Sequence, residues 1–255
     1  MWIHLHSAGY TRYDRDDIRE ALARREALMT NSSSVYDEPC AEHLLAMIMS
    51  LARRLPEAMV DQPLRHWRSS ALRGQSRLLV GNTVLIVGFG AIARRLVELL
   101  APLRMSITAV RRTPRGDEPV RVLPSSQVDE LLPTADHIVN VLPANDDTRQ
   151  FFDAARLARI KAGALFYNIG RGDTVDQTAL RRELESGRLA AAYLDVTTPE
   201  PLPPDDPLWS APHCYITPHT AGGHVDEPER LVRHFLENLK RFTSGQPLRD
   251  HILAS

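Results

Sequence analysis

The stretch TVLIVGFGAIARRLVELL (83–100) decides the fold. A run of β-favouring residues, Thr83 to Val87, leads into a glycine turn, and from Ala91 to Leu100 apolar residues recur with helical spacing. A strand, a glycine-rich turn and a helix in that order form the opening of a nucleotide-binding βαβ unit. Gly88 permits the tight turn, Gly90 lets the backbone approach a pyrophosphate, and Ala93 takes the third position, where a small residue suffices. Ordinary turns and methyltransferase cofactor loops share so short a pattern, but its position after VLIV favours a dinucleotide.

Downstream, SITAVR (106–111), HIVNVL (137–142), ALFYNI (164–169), LAAAYLDV (189–196) and CYITP (214–218) are candidate strands, separated by helical stretches such as 153–160 and 177–185. Asp176 suits the cap of the latter helix and Gly187 its stop. The strand runs are apolar on both faces, which predicts an α/β fold with a doubly wound parallel sheet, a Rossmann-like nucleotide domain. Upstream, the pattern predicts a strand over 2–6, a helix over 16–25, a short strand over 27–30 and one long helix over 38–60. That helix is apolar nearly all round, as expected of a segment that links lobes or meets a second subunit. A final helix over 227–242 is expected to pack on the first lobe. The division is therefore a dinucleotide-binding domain over 36–223 and a smaller lobe formed by 1–35 with 224–255.

The 255 residues carry a net charge of −1, with arginines interleaved among acids, so no nucleic-acid partner is expected. Cys40 and Cys214 stand far apart, outside any CxxC pair, which suits a reducing cytoplasm without a disulfide framework. His4 and His6 share a strand face but lack further ligands at useful spacing, so no metal is assigned. The amino terminus has no basic leader, and the longest apolar run, 44–52, is too short to span a bilayer; a soluble cytoplasmic protein without a membrane partner is expected.

An acid about 20 residues beyond the glycine turn ordinarily accepts the ribose hydroxyls of NAD. Here the position 23 residues after Gly88 (111 − 88) is Arg111, followed by Arg112, Thr113 and Arg115, with no carboxylate at hand. A guanidinium pair suits a ribose 2′-phosphate, so NADP(H) is preferred to NAD(H), a solvated basic turn being the alternative. Gly88, Phe89, Gly90, Ala91 and Ile92, with Arg111, Arg112 and Thr113, are the candidate cofactor contacts.

SAG (7–9), PCAEHLLAMIMSLARRLPEA (39–58), NIGRGDTVD (168–176), YLDVTTPEPLPPDDPLW (193–209) and ITPHTAGG (216–223) together resemble the D-isomer-specific 2-hydroxyacid dehydrogenases, and within them the glyoxylate/hydroxypyruvate reductases. The resemblance implies hydride exchange between NAD(P)H and a small 2-keto or 2-hydroxy acid, and a homodimer. It implies that Arg171, Glu200 and His219 are catalytic and that the substrate carboxylate meets Arg171 and the backbone around Ser7, Ala8 and Gly9. Leu142 and Pro143 would lie under the cofactor, with Ile169, Gly170, Asp195 and His219 also beside it. Reducing a 2-keto acid needs a proton donor and a fixed cation at the carbonyl, which suits imidazolium His219, supported by Glu200, and Arg171. In that family several βα units precede the segment matched by WIHLHSAG, so a flavodoxin-like substrate lobe is expected in truncated form. A dinucleotide-binding protein without turnover, a corepressor-like sensor or an inactive truncated dehydrogenase, is the other reading that this fold allows; the trio favours the enzyme.

Overall fold

The computed structural model describes residues 1–253, so the last two residues of the expected 224–255 segment lie outside the described range. Two compact units are present, Met1–Cys40 with the chain from Gly222 onward, and Ala41–Ala221. In chain order the elements begin with strand β1 (Trp2–His4), helix α1 (Asp16–Arg24), strand β2 (Leu28–Thr30) and helices α2 (Ser33–Ala52), α3 (Leu55–Asp61) and α4 (Ser69–Gln75). They continue with β3 (Thr83–Val87), α5 (Ala91–Leu100), β4 (Ser106–Arg111), β5 (Arg121–Pro124), α6 (Val128–Leu131), β6 (His137–Asn140) and α7 (Ala154–Arg159). The remainder is β7 (Leu165–Asn168), α8 (Gln177–Glu185), β8 (Ala191–Leu194), β9 (Cys214–Ile216), α9 (Glu227–Thr243) and β10 (His251–Ile252). No helix among the described residues is long and apolar enough to cross a membrane.

The larger unit is a Rossmann-like α/β fold around a seven-stranded, all-parallel sheet of order β5-β4-β3-β6-β7-β8-β9. Every residue of β6, β7 and β8 is buried, so both faces of the central sheet are covered. The strands finish almost level, with Val87 beside both Val110 and Asn140, Asn140 beside Asn168, Asn168 beside Leu194, and Leu194 beside Ile216. Loops after these strands consequently emerge at one edge, and the order reverses at β3, the place where open α/β sheets bind ligands. Strand β5, short and partly exposed, was not expected from the sequence.

The smaller unit holds a sheet of order β1-β2-β10. Sequence reading leaves β1 and β2 only each other as partners; His251 and Ile252 supply a third, antiparallel strand against Thr30 and Met29. The expected carboxy-terminal helix, α9, packs here, with Trp2 stacked on Phe235 at 5.4 Å between ring centroids. Trp2 also donates from Nε1 to Thr30 Oγ1 at 2.9 Å.

The single helix expected over 38–60 is instead two. Arg54 adopts the left-handed conformation (φ 55°) between α2 and α3, and Pro56 follows in the first turn of α3. Proline has no N–H to extend the bonding of α2 and is tolerated in the first turn of a new helix, where that N–H would lack a partner anyway. At its other end α2 starts at Ser33 rather than 38, because its first donors are met: Ser33 N and Oγ by Asn31 Oδ1, and Ser34 N by Asp250 Oδ2 at 2.8 Å.

Glycines let the strand ends come together. A Cβ on Gly170 would stand 2.5 Å from the Leu142 carbonyl oxygen and 2.8 Å from its nitrogen, and one on Gly172 would overlap the Thr197 carbonyl. These neighbours are backbone and cannot rotate away. Gly170→Ala is expected to lower stability by ~1–3 kcal/mol in urea unfolding, whereas Gly90→Ala, whose Cβ would meet nothing within 4 Å, should stay within ~0.5 kcal/mol of the parent. Equal stabilities of the two variants would contradict this packing.

Candidate active site

The glycine turn is shaped for a bound dinucleotide. Gly88 has φ 97°, and a Cβ there would crowd the Val141 carbonyl at 3.0 Å; Gly90 borders open space at the amino end of α5. Phe89 is buried, with the Arg94 guanidinium 5.3 Å above its ring, and Ala91 and Ile92 begin the helix. A helix start with free amides and room for close approach fits a pyrophosphate.

Beyond the ends of β6 and β7, a buried amide relay orders the next loops. Asn140 donates to Asn168 Oδ1 at 3.1 Å and to Thr174 Oγ1 at 2.7 Å, and accepts from Leu142 N at 3.2 Å. Asn168 in turn accepts from Gly170 N and donates to the Arg171 carbonyl, each at 3.1 Å. Leu142 and Gly170 are thereby fixed, and Ile169 is buried beside them. Pro143 is exposed, its carbonyl accepting from Thr148 Oγ1 at 2.6 Å. The Arg171 side chain folds back to the Gly170 carbonyl at 2.6 Å, and it makes no direct contact with Glu200 or His219 among the hydrogen bonds and ion pairs of the described residues.

Glu200 and His219 do meet, with Nδ1 of the ring 2.8 Å from Oε2. The other oxygen, Oε1, accepts from Thr197 N at 3.0 Å, which anchors the carboxylate from behind. A carboxylate only accepts, so Nδ1 carries the hydrogen and Nε2 is the nitrogen left to exchange a proton. Both side chains are partly exposed and line a cavity of about 380 Å³ with Leu202, Trp209 and Ile216.

Asp195 organises this region. It is buried at the end of β8, where Oδ1 accepts from Thr217 Oγ1 at 2.5 Å and Thr220 N at 2.9 Å, and Oδ2 accepts from Ala221 N at 3.0 Å. Its carbonyl accepts from His219 N at 2.8 Å, holding that residue in the left-handed conformation (φ 53°). Tyr193 OH joins the group, 2.6 Å from Thr217 Oγ1 and 2.7 Å from His43 Nε2. Sequence reasoning did not single out Asn140, Asn168, Tyr193 or His43; a polar residue inside an apolar strand run was the available signal for the two asparagines.

One expectation is corrected at the end of β4: a carboxylate is at hand there. Glu118 folds back so that Oε1 accepts from Arg115 N and Oε2 from Gly116 N, each at 2.8 Å, while Oε1 stands 3.4 Å from Arg111 Nη1. The Arg115 amide foremost, with that of Gly116, holds its carboxyl below the usual carboxylate range against the opposing effect of burial. Arg112 is exposed and paired with Asp147 at 2.6 Å, and Thr113 is exposed.

In the smaller unit, the Ser7 carbonyl accepts from Ser32 N at 3.2 Å, that of Ala8 from Asn31 Nδ2 at 2.6 Å, and that of Gly9 from Ser7 Oγ at 2.9 Å. Among the described residues no group of three or more His, Cys, Asp or Glu could hold a metal ion.

A Rossmann-like sheet with a glycine turn after β3 and a histidine–carboxylate pair at its ligand-binding edge is an arrangement suited to hydride and proton exchange with a nicotinamide dinucleotide. Residues 45–221 match the sequence profile of the D-isomer specific 2-hydroxyacid dehydrogenase NAD binding domain. The chain is 35% identical over 231 residues to a glyoxylate/hydroxypyruvate reductase B of Citrobacter koseri, spanning 89% of this chain and 71% of that one. It is 32% identical over 244 residues to a glyoxylate reductase of Korarchaeum cryptofilum, spanning 92% and 71%. The crystal structure of a D-isomer specific 2-hydroxyacid dehydrogenase from Xanthobacter autotrophicus with NADPH and MES superimposes with a TM-score of 0.83 at 28% identity, covering 98% of this chain and 77% of that one. The chain belongs to the D-isomer specific 2-hydroxyacid dehydrogenases and is an NAD(P)-dependent oxidoreductase.

Asp195→Asn would set an amide donor against donors that now meet an oxygen. Stability is expected to fall by ~1–3 kcal/mol in denaturant unfolding, and an unchanged midpoint would show that the carboxylate does not hold the 217–221 segment.

Proposed function

We propose that this chain reduces a small 2-keto acid of the glyoxylate and hydroxypyruvate class to its 2-hydroxy acid, using NADPH in preference to NADH. The observation that carries the reading is the His219–Glu200 pair, 2.8 Å apart on a cavity of about 380 Å³. The reduced nicotinamide, when bound, supplies a hydride to the carbonyl carbon. As negative charge grows on the carbonyl oxygen, His219 delivers a proton to it from Nε2. Glu200 holds Nδ1 and stabilises the imidazolium from which that proton leaves. Arg171 provides the fixed cation for the substrate carboxylate and the developing alkoxide. In the oxidative direction neutral His219 takes the proton back.

The names of the Citrobacter and Korarchaeum relatives support this substrate class. Gly88, Phe89, Gly90, Ala91 and Ile92 would cradle the pyrophosphate, and Leu142, Pro143, Ile169, Gly170 and Asp195 would border the nicotinamide half. Arg111, Arg112 and Thr113 would receive a 2′-phosphate, a reading supported by the NADPH in the Xanthobacter relative. In this reading 1–35 with 224–255 serves the substrate, and 36–223 serves the dinucleotide. The exposed apolar side chains Met59, Leu64 and Trp67, the last 94% exposed, support a homodimer formed through the segment after α2. Two free thiols suit a cytoplasmic setting. A dinucleotide sensor without turnover has no need of the His219–Glu200 pair.

Replacing His219 by Ala is expected to lower kcat for glyoxylate or hydroxypyruvate by ~10²- to 10⁴-fold while NADPH affinity is retained. Reduction at the parent rate, followed by loss of NADPH absorbance, would remove His219 from the mechanism.

A further inference from the structure

The end of β4 is less cationic than its run of arginines suggests, because three of the cations around it face a carboxylate. Arg112 faces Asp147 at 2.6 Å, Arg94 faces Asp117 at 4.0 Å and Arg111 faces Glu118 at 3.4 Å. The Arg112–Asp147 pair is about three-quarters exposed on both sides, and such pairs open readily to another anion. Glu118 differs. Its side chain is only 3% exposed, and each oxygen is held by a separate backbone amide, Arg115 to Oε1 and Gly116 to Oε2. Gly116, at φ 87°, turns the chain so that these amides face back toward the carboxylate. A surface acid on a free side chain would swing aside when a phosphate approached; this one is fixed.

We propose that Glu118 is a specificity-determining residue, which engages Arg111 and opposes a ribose 2′-phosphate, so that the margin between NADPH and NADH is set by two anions competing for one guanidinium. The inference rests on the reading that the adenosine ribose lies at the end of β4. A 2′-phosphate has to draw Arg111 from a carboxylate that cannot leave, and then stand near its negative charge. An unphosphorylated ribose meets neither penalty, so Glu118 acts on NADPH and leaves NADH almost untouched. Arg111 and Arg112 act in the opposite sense, and the observed preference is the difference of the two.

The test titrates the full chain with NADPH and with NADH by tryptophan fluorescence, in the parent, Glu118→Gln, Arg111→Gln and the double variant. Adenosine 2′,5′-bisphosphate and AMP serve as probes without the nicotinamide half, read by thermal shift. Glu118→Gln is expected to tighten NADPH about tenfold and to change NADH less than about twofold. The gain should vanish in the double variant, because Arg111 is the group released. An unchanged ratio of the two dissociation constants in Glu118→Gln overturns the proposal, whether both cofactors weaken together through a loosened loop or neither changes. Equal NADPH and NADH affinities in the parent would instead count against the NADPH preference proposed above; a gain for the 2′-phosphate probes on Glu118→Gln would still support the role of Glu118.

Discussion

Asp195 stands at the end of β8 with its carboxylate buried, and the segment that follows β9 supplies the donors it needs from Thr217, Thr220 and Ala221. A buried carboxylate left without partners costs several kcal/mol, so this segment cannot drift from the sheet without exposing a heavy penalty. His219 lies inside the fastened loop. Its left-handed backbone is uncommon for a residue with a side chain and persists because the bonds on both sides of it leave no alternative. Glu200, anchored through Thr197 N, then meets the ring from the loop after β8. The Glu200–His219 pair is thus assembled from two loops that neighbouring parallel strands, β8 and β9, deliver to the same edge.

The dinucleotide half rests on a different kind of constraint. Gly88 and Gly170 remove side chains where the backbones following β3, β6 and β7 nearly touch, and the Asn140–Asn168 relay satisfies the polar groups that this crowding buries. Steric absence brings the loops together and hydrogen bonding keeps them in register. Arg171 leaves this crowded edge with its carbonyl held by Asn168 and Thr174, so the guanidinium, whose tip bonds back to the Gly170 carbonyl, starts from a fixed root.

Much of this is legible in the sequence where the signal is local. The helices α5 and α8 begin and end where glycine turn, Asp176 cap and apolar spacing say they should, and Asp176 does accept from Ala179 N. The Glu200–His219 contact follows from motif resemblance, since no spacing rule joins positions 19 apart on separate loops. What is not legible depends on chain reversal or on distant partners. Glu118 lies seven residues past Arg111 and returns only because the 111–116 turn closes; His43 and Tyr193 are 150 residues apart; β10 is two residues long and is defined by pairing alone. Pro56 stands at the break between α2 and α3, but the apolar pattern runs on across it and carries no sign of the interruption.

The proposed reaction is direct hydride transfer to a 2-keto acid with protonation by His219 and the stereochemistry of the D-specific family. The most direct measurement supplies reduced cofactor deuterated at the transferable position together with hydroxypyruvate, and analyses the product by mass spectrometry and chiral chromatography. One deuterium is expected at C2 of the D-2-hydroxy acid in the parent protein, with product formation lost when His219 is replaced by Ala. Product without deuterium, or product of L configuration, would contradict it.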